Sequence, residues 1–125
     1  MMPMKTRPAR TVYIAGPMTG KMDFNYPTFN AWENVLKMVG WQVLNPAKIG
    51  EPFGTAEEIN ANPKLLKAVI EAELAAVAGA DAIFLLEGWE KSPGARRELA
   101  VALNNGLIIL TNSVMSPEHY AIEVK

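Results

Sequence analysis

The sequence of 125 residues contains no cysteine and a single histidine, His119. The absence of cysteine excludes a disulfide framework, a thiolate zinc site and a cysteine nucleophile, and a single histidine excludes a metal site built from several imidazoles. A chain without cysteine is compatible with a reducing compartment, so we expect a cytoplasmic protein. We expect His119 itself to lie on the surface.

The sequence also lacks a strong charge bias and any long apolar run. The formal net charge is −1, so the basic surface typical of nucleic-acid-binding domains is missing. The apolar run 12–15 is too short for the core of a signal peptide, and no segment approaches the length of a membrane-spanning helix. We therefore expect neither a nucleic acid nor a membrane as partner.

What the sequence does contain is enough apolar surface for one core. Half of the side chains are apolar, and at this length we expect a single domain over residues 1–125 with a flexible N-terminus at 1–10. Short apolar runs predict strands at 11–15, 41–44, 81–86 and 107–111. Because helical patterns separate these strands, the fold class is α/β, with a parallel sheet covered by helices on both faces.

The predicted helices have recognisable ends. The first is expected to start near Thr28 and to pack one stripe into the core, formed by Phe29, Trp32, Leu36 and Val39. Asn62 and Ser92 are expected to cap two later helices, at 63–79 and 93–105.

The connection between the second strand and the next helix is unusually long. It covers residues 45–62 and includes Thr55–Glu58, which fits a capping box for a short helical turn. A connection of this length is often functional, although it can also be mobile.

Three features would converge if the first and third predicted strands are neighbours, because the loops at their carboxyl ends would open on one edge of the sheet. The first is the loop Gly16–Gly20, whose glycines allow close approach to a ligand, although such turns are often structural. The second is Ser92–Glu98, where a helix start offers N–H groups to an anion such as a phosphate. Glu98 lies too far into that helix for a capping role. The third is Glu73.

Glu73 interrupts an apolar helical stripe. A carboxylate there is paired with a neighbour, reaches water at the margin of the sheet, or is kept for chemistry. Two carboxyl groups in one pocket would separate in pKa, so that one stays ionised as a nucleophile and the other can donate a proton. That division suits the cleavage of a glycosidic bond.

Other residues are weaker candidates. Tyr13 lies in the first strand, where its phenol either faces the pocket or packs in the core. Trp89 either stacks on a base or covers the core. Arg96 and Arg97 oppose the helix dipole unless an anion offsets them, or they are solvated surface charges. Asp81 opens the third strand, where we expect it to bond loop amides.

In this order and spacing, the motifs resemble those of the nucleoside 2-deoxyribosyltransferase-like proteins, which include transferases and nucleotide N-hydrolases. The matching motifs are Tyr13-Ile-Ala-Gly-Pro17, the acidic Glu73, Ala80-Asp81, and Ser92-x-Gly94-x-x-x-Glu98. They span roughly residues 11–111 and look closest to small, phage-type members of that family. The resemblance implies a Rossmann-like or flavodoxin-like open parallel sheet of four to five strands.

The resemblance also implies a retaining mechanism. Glu98 would attack the anomeric carbon, Tyr13 would orient Glu98, and Glu73 would stand where the family has an aspartate that contacts the base. The extra methylene of Glu73 moves its carboxyl group outward, which is a departure from the family. The remaining substrate contacts are expected from Gly16, Pro17, Met18, Asp81, Trp89, Ser92, Gly94 and Ala95.

Ser92 indicates a phosphorylated substrate. Six residues before the nucleophile, the resembling nucleoside transferases have an acidic residue and the nucleotide hydrolases have serine. With the Gly94 amide and no acid beside it, the pocket is expected to accept a phosphate. We therefore expect an N-glycosidase that hydrolyses a (deoxy)ribonucleoside 5′-monophosphate without a metal or organic cofactor.

Other interpretations stay open at this point. The alternatives are a nucleoside 2-deoxyribosyltransferase, a nucleotide-binding or regulatory module without turnover, and a structural protein with a vestigial pocket. Because the resemblance implies dimers or larger rings, we also expect a homo-oligomer, whose interface the sequence does not identify.

Overall fold

A four-stranded, wholly parallel sheet forms the centre of the fold. The computed structural model of the protein describes residues 10–111. The strands are β1 (Thr11–Ala15), β2 (Gln42–Leu44), β3 (Ala82–Leu85) and β4 (Ile108–Thr111), in the spatial order β2-β1-β3-β4. All four predicted strands are confirmed within this part of the chain, and three of them are one or two residues shorter than expected. Residues 1–9 of the N-terminal segment 1–10 that was predicted to be flexible, and His119, lie outside the described residues.

Helices connect the strands. They are α1 (Tyr26–Val39), α2 (Pro46–Ile49), α3 (Ala56–Ala61), α4 (Pro63–Ala78) and α5 (Pro93–Asn104), with 3-10 turns at Met22–Asn25, Glu51–Phe53 and Trp89–Lys91. The long connection is therefore not a bare loop, since α2, α3 and a 3-10 turn occupy it. None of the helices within residues 10–111 has the length and apolar character needed to cross a bilayer.

The predicted caps account for where α3, α4 and α5 begin. Thr55 and Glu58 form the expected capping box at α3. The Asn62 side chain accepts hydrogen bonds from the first-turn N–H groups of α4, and Ser92 Oγ accepts one from the Ala95 N–H at 3.2 Å. Each side chain satisfies an N–H group that the helix itself leaves without a partner.

Both faces of the sheet are covered, as the alternation of strands and helices predicted. On one face, β1 and β3 pack against α4 and α5, and the buried residues there include Tyr13, Ile83, Val77 and Ala102. On the other face they pack against α1, with Val12, Phe84, Phe29 and Leu36 buried. The protein thus has the α/β architecture of a Rossmann-like or flavodoxin-like fold.

The stripe predicted for the first helix needs one correction. Phe29 and Leu36 are buried as expected, and Trp32 packs on Phe84 with ring centroids 4.8 Å apart, but Val39 is 63% exposed. Val39 is the last residue of α1, and the left-handed Gly40 that follows turns the chain away toward β2. The prediction for Val39 was wrong because periodicity alone does not show where a helix runs past the edge of the sheet.

The strand order creates a crevice beside β1. The chain passes from β1 to β2 on one side and then returns to β3 on the other. The loops that leave the carboxyl ends of β1 and β3 therefore begin side by side and then run in different directions. In this topology ligands bind at such a switch point. The two loops come close together at Gly16, where a Cβ atom would lie 2.8 Å from Cβ of Leu86. Only glycine fits there without displacing Leu86, the residue that follows β3.

Candidate active site

A cavity of about 410 Å³ opens at this crevice. Its walls come from the loop after β1, the start of α5, one face of α4 and the connection between β2 and α4. The lining residues are Gly16, Pro17, Met18, Thr19, Phe24, Tyr26, Pro46, Gly50, Ala56, Ile59, Asn60, Leu66, Val69, Ile70, Glu73, Leu74, Lys91, Ser92, Pro93, Gly94, Ala95, Arg97 and Glu98. The cavity therefore combines an apolar wall with a small number of polar and ionisable groups, as sites for small molecules commonly do.

Glu98 is the most deeply buried ionisable group of the cavity. Its side chain is 7% exposed, and Oε2 accepts a hydrogen bond of 2.6 Å from the hydroxyl of Tyr13, which is fully buried in β1. Burial raises the pKa of Glu98 to about 8, against the lowering effects of the Tyr13 hydrogen bond and of Arg97. Tyr13 does not line the cavity, so it acts by holding the carboxyl group of Glu98 from behind.

Glu73 reaches the same cavity from α4. Its side chain is half-buried, and burial raises its pKa to about 7, with Arg97 acting in the opposite direction. Burial also raises the pKa of the Tyr13 phenol well above its usual value, and the charges of Glu98 and Glu73 add to the effect. The phenol is therefore a neutral hydrogen-bond donor at any physiological pH. The two carboxyl groups are coupled, so they titrate as a pair that retains protons near neutrality.

The start of α5 forms a cationic end of the cavity. Lys91 and Arg97 line it and are both exposed. Pro93 has no N–H group and Ser92 Oγ occupies the N–H of Ala95, so the N–H of Gly94 is the first-turn donor left for a ligand. An added Cβ at Gly94 would meet nothing closer than Ser92 Oγ at 4.0 Å, so there is open space beside it. This end of the cavity suits an anion.

Another part of the cavity wall is aromatic. Phe24 and Tyr26 line it with ring centroids 6.1 Å apart, in a tilted arrangement. Phe24 lies within a turn in which Asp23, Phe24 and Asn25 all have positive φ, and Tyr26 directly follows it. This conformation costs non-glycine residues free energy and is often found at functional sites. The Asn25 side chain ties the turn down by donating to the Pro17 carbonyl at 2.9 Å. A flat apolar group would fit against this wall.

Most of the residues predicted for the site come together here. Glu98, Glu73, Gly16, Pro17, Met18, Ser92, Gly94 and Ala95 all line the cavity, and Tyr13 contacts Glu98. Trp89 does not line it and instead packs against the core beneath α5, which is the structural role considered for it. Asp81 lies at the amino end of β3, at the opposite edge of the sheet from the cavity, and its carboxylate accepts a hydrogen bond of 2.8 Å from the Thr11 amide. The structure therefore places neither Trp89 nor Asp81 at this site.

Sequence reasoning missed several residues of the cavity. It left open whether Arg97 is surface charge, and it did not consider Lys91, Phe24, Tyr26 or the apolar residues of α2 and α3. The available signal was the length of the connection, which predicted a functional segment without saying which of its residues would face a ligand. Their positions depend on how the connection folds back over the sheet.

Comparison with known proteins assigns a family. A family model described as a domain of unknown function, DUF4406, matches residues 10–111. A search of curated proteins found no match to this sequence. The matched region contains every strand and every cavity-lining residue described above. The chain therefore belongs to the DUF4406 family of domains of unknown function.

Proposed function

We propose that this protein is an N-glycosidase that hydrolyses a (deoxy)nucleoside 5′-monophosphate to a free base and a sugar 5-phosphate. The observation that carries the proposal is the buried carboxyl group of Glu98, hydrogen-bonded to Tyr13 and facing a cavity that Glu73 also lines. The resemblance of the motifs around these residues to nucleoside 2-deoxyribosyltransferase-like proteins supports it. The match to DUF4406 does not indicate an activity, because the function of that family is unknown.

In the proposed mechanism, Glu98 is the nucleophile. A carboxylate oxygen of Glu98 bonds to C1′ of the sugar while the bond between C1′ and the base nitrogen breaks. The electron pair of that bond leaves with the base, which takes a proton from Glu73. Water then attacks C1′, the glycosyl ester breaks, and the proton of the water replaces the one that Glu73 gave up. The sum is nucleotide plus water giving base plus sugar phosphate, with retained configuration.

The ionisation of the pair allows this division of roles in a fraction of the molecules near neutral pH. One group must be ionised and the other protonated, and a pair whose pKa values are raised to about 7 and about 8 holds protons in that range. The neutral Tyr13 phenol donates to Glu98 and not to Glu73, and this hydrogen bond lowers the pKa of Glu98. Burial still leaves the pKa of Glu98 above that of Glu73, so the reactive state, with Glu98 ionised and Glu73 protonated, is the less populated of the two states that share one proton. That state has the nucleophile and the proton donor in place together.

The shape and charge of the cavity support a nucleotide as substrate. A phosphate would bind at the N–H of Gly94 near Lys91, and a base would lie against Phe24 and Tyr26. A volume of about 410 Å³ falls within the range of cavities that hold small organic ligands. The sugar would then lie between the two ends, next to Glu98.

Incubation of the purified protein with a panel of nucleoside monophosphates, followed by chromatographic detection of free bases, tests the proposal. We expect base release by the wild type and none by Glu98→Ala. Glu90→Ala is the matched control, since Glu90 is an exposed carboxylate just before α5 that does not line the cavity. If Glu98→Ala released base as fast as the control, the assigned nucleophile would be wrong.

Two other functions use the same cavity. A nucleotide-binding module without turnover is favoured by Glu73 standing where the resembling enzymes have aspartate. Such a module would show a nucleotide-dependent rise in melting temperature without base release. A deoxyribosyltransferase would form a new nucleoside or nucleotide when a second base is added to the reaction.

A further inference from the structure

Two adjacent arginines near the start of α5 have different environments. Arg96 and Arg97 are both exposed, but only Arg97 lines the cavity. Helical spacing accounts for the difference, because residues three and four positions after Gly94 share its face of the helix. Those residues are Arg97 and Glu98. Arg96 falls outside this face, so the two arginines form a natural pair of test and control.

Arg97 has no strong protein partner among residues 10–111. The salt bridges found there join Glu33 to Lys37 and Lys48, and neither includes Arg97. The carboxyl groups that feel its charge are Glu73 and Glu98, and both retain protons near neutral pH because burial outweighs the effect of Arg97. The guanidinium group therefore has no salt bridge among residues 10–111 and remains available to a ligand in the cavity.

The position of Arg97 favours the binding of an anion. It lies within the first two turns of α5, where the helix dipole presents positive charge. Lys91 adds a second cation at the same end of the cavity. Two cations that line the same end of the cavity make this end a favourable place for an anionic ligand.

We propose that Arg97 is a specificity-determining residue that binds the phosphate of the substrate and so selects nucleotides over nucleosides. This inference rests on the proposed function. The planar guanidinium offers paired N–H donors that match phosphate oxygens, which Lys91 cannot do. Gly94 and Arg97 are one helical turn apart and both line the cavity, so the Gly94 N–H and the Arg97 side chain are placed to bind one phosphate together.

An alternative role for Arg97, in the ionisation of Glu98, would change the kinetic parameters in a different way. If Arg97 acted only through the ionisation of Glu98, its removal would slow nucleosides and nucleotides equally and would shift the pH dependence of kcat. If it binds phosphate, its removal raises KM for the nucleotide and leaves the nucleoside unchanged. The ratio of kcat/KM for a nucleotide and its parent nucleoside therefore separates the two roles.

The experiment compares Arg97→Gln, Arg97→Lys and Arg96→Gln with the wild type. Each is assayed for kcat/KM on one nucleoside 5′-monophosphate and its nucleoside, and for the dissociation constant of deoxyribose 5-phosphate. We expect Arg97→Gln to lose about 10- to 100-fold on the nucleotide and on deoxyribose 5-phosphate, the range of a hydrogen bond to a charged group. The nucleoside should change less than threefold, Arg97→Lys should be intermediate, and Arg96→Gln should match the wild type.

Equal losses on nucleotide and nucleoside, or no loss for Arg97→Gln, would overturn the inference. The binding measurement keeps this test separate from that of the proposed function. If the wild type released no base from any nucleotide, the N-glycosidase proposal would fail. The role of Arg97 would still be decided by whether its removal weakens binding of deoxyribose 5-phosphate.

Discussion

Two buried glutamates on opposite faces of the sheet have pKa values that are shifted in opposite directions. Glu33 in α1 and Glu98 in α5 are 4% and 7% exposed, so burial alone does not distinguish them. Glu33 is bonded to Lys37 at 2.6 Å, to Lys48 at 2.9 Å and to the Asn45 side chain at 2.9 Å. Glu98 is bonded to a single neutral phenol.

The difference in partners decides the ionisation of each group. Burial disfavours the charge of Glu33, but hydrogen bonds from Lys37, Asn45 and Lys48 outweigh it and lower its pKa to about 2. For Glu98 burial dominates and raises the pKa to about 8. Removal of a buried carboxylate whose partners are complete destabilises the fold, because those partners lose their acceptor. One left with a single partner beside a cavity is available to a ligand.

The largest expected effect concerns activity. Glu98→Ala should lower the rate of base release by about 10³-fold or more, because the attacking oxygen is lost, while Glu33→Ala should leave kcat within about threefold in the protein that remains folded. Single-turnover assays at matched concentrations of folded protein would measure both. A Glu33 variant as inactive as Glu98→Ala would break the comparison.

The next largest effect is on the free energy of unfolding and concerns Glu33. Glu33→Ala should lower the free energy of unfolding at pH 7 by about 1 to 3 kcal/mol, since Lys37, Lys48 and the buried Asn45 lose their common acceptor. The loss should be about 1 kcal/mol if Lys37 and Lys48 become solvated in the variant, which is possible because their side chains are 55% exposed. Urea unfolding gives the value. An exposed substitution on the same helix, Asn34→Ala, is the control and should change it by less than about 0.5 kcal/mol.

The pH dependence of stability should have opposite signs at the two sites. The folded pKa of Glu33 lies below its unfolded value, so its contribution is present above about pH 4.5 and is lost as the pH falls toward 2. The folded pKa of Glu98 lies above its unfolded value, so the folded state binds more protons and stability falls as the pH rises from about 4.5 to about 8.

Glu98→Gln tests whether the ionisation of Glu98 lowers the stability of the protein as the pH rises. The variant should be more stable than the wild type by up to about 4 kcal/mol at pH 8 and nearly equal to it at pH 4.5, because the amide has no charge to bury. Denaturation series at both pH values measure the difference. A constant difference between the two pH values would mean that Glu98 titrates normally in the folded protein.

The smallest expected effect is a shift in the pH dependence of kcat/KM. The wild-type profile of kcat/KM should be a bell with limbs near pH 7 and pH 8, set by the coupled pair. Tyr13→Phe should move the limb of Glu98 to higher pH and lower the maximum about tenfold, since the hydrogen bond that lowers the Glu98 pKa is removed. An unshifted profile would show that Tyr13 only fills space. In Glu73→Gln, one limb should disappear.

The fold was largely predictable from the sequence because its elements are signalled locally. Asn62 and Ser92 cap α4 and α5 as expected, and the apolar runs became β1 to β4. Glu33 was not predicted as buried. Its lysine and asparagine partners come from α1 and from the segment after β2, so only the packed fold brings the four groups together.

The candidate site was predictable only in part. The residues that immediately follow β1, and those at the start of α5, could be placed at one edge of the sheet because parallel strands end together. Trp89 and Asp81 were expected at the site but lie elsewhere, since neighbouring positions around a strand or turn can face the core or the opposite edge. Phe24 and Tyr26 could not be placed at all, because a strained turn directs them.

By itself, the amino-acid sequence determined the order of strands and helices, their caps, and the spacing that carries Ser92, Gly94 and Glu98 along one helix. These depend on interactions within a few residues of one another. The tertiary structure alone decided that the Tyr13 hydroxyl meets Glu98, that Glu73 and Arg97 share their cavity, and that Glu33 is neutralised by lysines. The ionisation of a carboxyl group depends on water exclusion and on partners distant in the chain, and only the folded arrangement brings those together.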